Sequence, residues 1–138
     1  MIKTALIALT ISLYALSLDA QVFIGASKSD VLAEMKKKKP GFVNDDSVRN
    51  DKYNYLKYIS DDDSETWIIV FDGKDRCKGV RVTCDISKIN VKRKELDALY
   101  TKRGKDKWSL DQHTGNILVD LKDETWYFTI TYRQEPKL

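Results

Sequence analysis

The sequence predicts an α+β fold: an antiparallel sheet of about six strands with two helices packed on one of its faces. Three observations carry that reading. Runs rich in aromatic and β-branched residues are joined by short polar turns, which favours antiparallel meanders over crossover connections. Two other segments place apolar residues at helical spacing, and each precedes a set of strands. The order helix then three strands, an αβββ unit, thus occurs twice, over residues 27–86 and 87–133, as a tandem duplication would give.

Residues 1–20 precede this pattern and read as a cleaved export signal. Lys3 supplies the positive start, an apolar run occupies positions 5–18, and Leu18-Asp19-Ala20 ends in the small residue that a signal peptidase requires. The run is shorter than the roughly 20 apolar residues of a membrane span, so no transmembrane span is expected once the signal has left. The expected location is periplasmic or extracellular. Residues 21–138 then suit a single α+β domain. Losing the signal removes one base and one acid, which leaves the net charge at +3. So mild a balance, in a chain with no nucleic-acid-binding motif, argues against nucleic acid as a partner.

Ser27 followed by Asp30 resembles a capping box, and Val31, Leu32 and Met35 continue at helical spacing, so a first helix starts here. It runs through the lysines at 36–39 and stops at Pro40-Gly41. Positions 53–59 predict a strand that turns through the acidic stretch 61–65. Positions 67–71 are continuously apolar, and Asp72-Gly73 is a hairpin signal leading to a third strand at 80–86. A second helix is expected over 91–103, with Leu96, Leu99 and Tyr100 as its apolar stripe and Gly104 as its stop. Strands at 107–112, 117–121 and 125–133 complete the order. Val31, Leu32, Met35, Leu96, Leu99 and Tyr100 are expected to meet Trp67, Phe71, Trp126, Phe128 and Ile130 in the core.

The two halves share a local sequence as well, Glu65-Thr66-Trp67 and Glu124-Thr125-Trp126, each at the start of an expected apolar strand. The tandem element order and the export signal together resemble the β-lactamase inhibitory protein architecture and the small outer-membrane assembly lipoproteins that carry one such unit. The resemblance covers residues 27–133 as element order plus that tripeptide, and no binding motif carries over residue by residue. It implies a binding role. The chain departs from the lipoprotein pattern in having no cysteine near Ala20, and its two cysteines do not read as disulfide-bonded repeats.

An exported chain invites pairing of Cys77 with Cys84. On one continuous strand, seven residues at roughly 3.3 Å each separate them by about 23 Å, whereas a disulfide requires Cα atoms within about 7 Å. Two unpaired thiols are expected, unless a turn or bulge near Gly79 folds the chain back.

His113 is the only histidine, which removes most zinc sites and most nucleophile–base pairs. Ser109, Asp111 and His113 alternate along one strand, but same-face neighbours stand about 6.6 Å apart, too far for the hydrogen bonds of a triad. Asp61, Asp62, Asp63 and Glu65 lack the alternating ligands and central glycine of a calcium loop and read as a solvated turn. No metal and no cofactor is expected. The lysines at 36–39, with Lys92, Arg93, Lys94, Lys102, Arg103, Lys105 and Lys107, read as wet helix faces; an anionic surface is the alternative target.

With both helices over one face, the other remains open to a partner. It should carry Tyr127, Thr129 and Thr131 from the last strand, Arg81 and Thr83 from the third, and Tyr53, Tyr55 and Lys57 from the first. Tyrosine and arginine are enriched at binding hot spots because they join large contact area to hydrogen bonding, which makes this face the candidate partner-binding site. The expected function is an exported, non-catalytic binding or protein-interaction module for an unidentified protein or envelope component. Two other classes stand beside it: a small secreted carboxylate-dependent hydrolase, and an envelope-associated structural protein that binds anionic surfaces through its basic helices.

Overall fold

The computed structural model describes residues 20–45, 53–112 and 115–136; of the export signal expected over 1–20, all but Ala20 lies outside the described residues, as does His113. A 3-10 turn, Ala20–Phe23, leads into helix α1 (Lys28–Lys38) and strands β1 (Phe42–Asn44), β2 (Tyr55–Ser60), β3 (Glu65–Phe71) and β4 (Cys77–Asp85). A second 3-10 turn, Ile86–Lys88, leads into helix α2 (Ile89–Leu99) and strands β5 (Thr101–Gly104), β6 (Lys107–Leu110), β7 (Ile117–Asp123) and β8 (Tyr127–Gln134).

Helix α1 begins where the capping signal placed it. Ser27 accepts a hydrogen bond from the backbone N–H of Asp30 at 3.2 Å, satisfying one of the donors that a helix start leaves free. Its last turn carries Lys36, Lys37 and Lys38, cations that complement the helix dipole. The second helix ends earlier than expected. Tyr100 is already extended, at φ −127° and ψ 163°, and its buried ring packs edge-on to Tyr132 at 6.4 Å. Residues 101–104 therefore run as strand β5 beside β6 instead of prolonging the helix.

One antiparallel sheet of eight strands, in the order β1-β2-β3-β4-β8-β7-β6-β5, results. The expectation of six is corrected by β1 and β5, short strands at the two edges. Each helix is thus followed by four strands rather than three, and the last strands of the two halves, β4 and β8, pair at the centre with Val82 opposite Ile130. The shared tripeptide does not mark equivalent places. Trp67 lies within β3, the third strand of its half, whereas Trp126 lies in the turn before β8, the fourth.

Val31 and Met35 of α1 and Leu96 of α2 enter one buried cluster with Trp67, Ile69, Phe71, Val80, Val82, Phe128 and Ile130. The segment before α1 completes it: Phe23 is buried edge-on to Trp67 at 6.2 Å, and the backbone of Gly25 and Ala26 bonds to Cys77. Three expected core residues lie outside. Leu32 and Leu99 are 39% and 38% exposed, and Trp126 is 83% exposed. Helix α1 buries Val31 and Met35, a narrow i, i+4 stripe, and Leu32 is turned about 100° off it. Leu99 sits on the last turn of α2, where the chain swings out to β5.

The pairing of β3 with β4 shifts between Val70 and Phe71, so that Gly79 opposes Val70 and Cys77 opposes Phe71. This bulge brings Cys77 onto the buried face along with Cys84, yet both thiols are free. Burial pushes the Cys77 thiol up to about 11 and the Cys84 thiol up to about 12.

Candidate functional site

Strand register sorts the sheet into two faces. Trp67, Val82 and Ile130 are aligned on the face beneath the helices. The intervening positions form the other face, where one cross-strand row reads Lys57, Ile68, Arg81, Thr131, Asp120 and Lys107. The next row reads Ile59, Thr66, Thr83, Thr129 and Lys122.

Six of the expected site residues share this second face: Tyr55, Lys57, Arg81, Thr83, Tyr127 and Thr129. They do not contribute alike. Thr129 is only 4% exposed in the middle of the sheet, so its neighbours cover it and it cannot be a contact residue; that expectation is corrected. Lys57 is paired with Asp45 at 3.5 Å. Arg81 is exposed at the sheet centre, and Thr83 is half-buried beside it. Tyr53 precedes β2 and is exposed, and Tyr127 is 44% exposed opposite Asp85 at the end of β4.

The structure adds Trp126, which sequence reasoning placed in the core. Strands β7 and β8 pair as far as Asp123 opposite Phe128, leaving three residues and the first of β8 to reverse the chain. The Asp123 carboxylate accepts from the Thr125 N–H at 2.8 Å, and the Glu124 carbonyl accepts from the Trp126 N–H at 3.0 Å. This i to i+2 bond closes a γ-turn on Thr125, whose φ of +77° belongs to the rarer, strained hand of that turn. Held by the turn, the indole projects from the hairpin tip with Tyr127 beside it. Asp123 and Glu124 belong to the same turn and Asp85 lies opposite Tyr127, and each has a cation near it: Lys122 is paired with Glu124 at 3.2 Å, Arg93 lies near Asp123 and Lys88 near Asp85. Hydrogen bonds from Ser87 hold Asp85 below its ordinary 3.8, so it stays ionised. The sequence clue was the polar run Lys122-Asp123-Glu124-Thr125, long enough for a turn to include the residue after it.

Other candidate chemistry is absorbed by structure. Asp62 accepts from Ser60 Oγ at 2.8 Å, from Ser64 Oγ at 2.7 Å and from the Ser64 N–H at 3.0 Å. These bonds, the Ser64 hydroxyl first, lower its pKa from 3.8 to about 2, making it a turn cap that cannot hold a proton for acid catalysis at neutral pH. Ser109 is buried and accepts a hydrogen bond from Arg103 Nε at 2.7 Å, a cation rather than a base. No group of three metal-binding side chains forms among the described residues.

Between the helices, a cleft of about 40 Å³ is lined by Ala20, Trp67, Leu96 and Ile130, with Lys39, Glu65, Lys92 and Glu95 among the charged groups. Lys39 Nζ stands 5.3 Å above the Trp67 ring, whose Nε1 donates to Glu65 at 3.1 Å. That volume is far below the roughly 300 Å³ at which small-molecule pockets begin. Set against family models, curated proteins and solved structures, the chain has no match in any of the three.

Proposed function

We propose that this chain is an exported, non-catalytic binding module that engages a protein or envelope component through the open sheet face and the adjoining β7–β8 tip. The observation that carries the reading is Trp126: a large apolar side chain held in water on a strained turn, next to half-exposed Tyr127. Burying an indole gains affinity in proportion to the area removed from water, and tryptophan, tyrosine and arginine dominate measured hot spots. Backbone strain persists where the surrounding structure over-determines it, and it clusters at functional positions. The order of a helix and its meander, occurring twice, supports the resemblance to the β-lactamase inhibitory protein architecture and, with it, a binding role.

Trp126→Ala and Arg81→Ala test the reading separately. Each should leave the melting temperature within a degree or two of the unmodified protein, about the scatter of surface substitutions. Each should also weaken retention of the partner recovered from the native source, by at least about 1 kcal/mol. A partner held equally well by both variants would exclude this surface. Loss of a measured turnover on replacing a single carboxylate would favour the hydrolase instead.

A further inference from the structure

Charge is divided unevenly between the layers of the fold. The two helices, with their capping residues Lys39 and Lys88, carry nine lysines and arginines against four acids, a net charge of +5. The whole chain stands at +3, so everything outside the helices sums to −2. Both helices bury residues in the same cluster over one face of the sheet, so the excess lies on one side of the molecule.

The cations of this layer fall into two groups. Lys38 is paired with Glu34 at 3.3 Å, Lys92 with Glu95 at 3.6 Å, and Arg93 grips Asp106 with two hydrogen bonds of 3.0 Å. Lys28 donates to Asn54, Lys88 donates to Ser64, and Lys39 lies over the rings of Phe42 and Trp67. Lys36, Lys37 and Lys94 are exposed and form no ion pair or hydrogen bond among the described residues. At about 100° per residue, Lys36 and Lys37 stand about 120° and 140° to either side of the line through Val31 and Met35, and Lys94 stands about 160° from buried Leu96. All three therefore point away from the sheet. Val91, 59% exposed, shares that outward side of α2, and the exposed Ala33 and Ala98 add little bulk beside them. The acids of the layer are engaged or distant. Glu34 and Glu95 are paired as above, Asp97 faces Lys102 at 3.9 Å, and Asp30 lies about 9 Å of helix before Lys36.

Unpaired lysines spread over two helices, with an exposed valine among them, fit a diffuse negative surface better than a polymer or a single anion. The cleft between the helices holds about 40 Å³, too little to channel a polyanion. Arg93, whose fork would grip a single phosphate, is already taken by Asp106. Lysine instead presents a compact, hydrated point charge on a flexible stem. We infer that the helix layer is a membrane-surface contact, with Lys36, Lys37 and Lys94 against the headgroups of an anionic lipid bilayer and Val91 entering between them. The opposite sheet face then points away from the bilayer, where Arg81 stays open to a partner.

Cosedimentation with sucrose-loaded vesicles tests this, comparing phosphatidylglycerol and phosphatidylcholine in equal parts with phosphatidylcholine alone, in about 0.01 M salt, where charge acts over roughly 30 Å. An anionic bilayer favours each lysine at its surface by about fivefold, so the unmodified protein should partition about a hundredfold more strongly into the mixed vesicles and be released as salt is raised. Lys36→Gln, Lys37→Gln and Lys94→Gln together should abolish that preference. Lys74→Gln, Lys78→Gln and Lys107→Gln remove the same charge from exposed sites off the helices and should cost less than about tenfold. Both triple variants should melt within about two degrees of the unmodified protein, which shows that they are folded. Val91→Ser should weaken binding to the mixed vesicles but leave retention on dextran sulfate, a soluble polyanion with no apolar interior, unchanged. Equal partitioning into both kinds of vesicle, a helix variant that binds as the unmodified protein does, or an equal loss from the two triple variants would each overturn the inference. So would a Val91→Ser variant that loses as much on dextran sulfate as on vesicles, which would assign the layer to a polyanion.

Discussion

Replacing Thr125 with glycine should stabilise the protein even though it deletes a side chain. Thr125 sits at φ +77°, where a β-branched residue is held against its own backbone, and such strain costs on the order of 1–3 kcal/mol. Glycine adopts that angle freely but loses about 0.4–1 kcal/mol more through the entropy of the unfolded chain. The net gain is about 0.5–2 kcal/mol. For a domain of this length the unfolding entropy is about 0.25 kcal/mol/K, so the melting temperature should rise by about 2–8 °C. Urea unfolding followed by fluorescence should show a higher midpoint at an unchanged slope. Thr125→Ala keeps the unfavourable angle and should gain far less. A glycine variant no more stable than the original, or an alanine variant that gains as much, would refute the strain argument. The same glycine loosens the turn that aims Trp126, so partner binding should weaken while stability rises.

The tryptophans should divide sharply. Trp108 is buried with its Nε1 donating to Asp97 at 2.8 Å, so Trp108→Ala should cost about 3–5 kcal/mol in urea unfolding, whereas Trp126→Ala should fall within about 0.5 kcal/mol of zero. Both thiols should resist a disulfide-exchange reagent in the native protein and react once urea unfolds it, since burial and raised pKa leave little thiolate at neutral pH; prompt labelling of native protein would contradict this. Asp62 ionises more easily folded than unfolded, so its contribution is fully present above its ordinary pKa of 3.8 and is lost as pH falls towards about 2. Asp62→Asn should therefore flatten the acid limb of the stability profile in that window, and an unchanged limb would count against the turn-cap role.

Legibility in the sequence followed the strength of local signals. Ser27 and Pro40 bracketed α1 within two residues, because a cap and a breaker act on the chain next to them. Strands β2, β3, β4, β6, β7 and β8 were each found, with ends displaced by at most about two or three residues, the usual uncertainty of boundaries. The two missed strands, β1 with three residues and β5 with four, are edge strands: each pairs on one side only and is too short to show alternation. Thr101, Lys102, Arg103 and Gly104 read as the end of a helix because nothing local announces that Tyr100 will leave α2 to pack on Tyr132.

Composition and periodicity by themselves determined the α+β class, the antiparallel sheet and the positions of both helices, because turns, caps and apolar spacing act over a few residues. They also determined the division of β4 into a buried face of Val80, Val82 and Cys84 and an outward Arg81, since strand alternation is a property of the backbone. Only the tertiary structure decided how many strands the sheet holds, that β4 and β8 join the halves, and which face positions remain accessible. Thr129 and Trp126 show why. Thr129 is covered by neighbours contributed by other strands, and Trp126 is pushed into water by a turn whose length follows from the pairing of β7 with β8. Exposure is a relation between distant parts of the chain, and strand alternation is lost where a turn interrupts the strand.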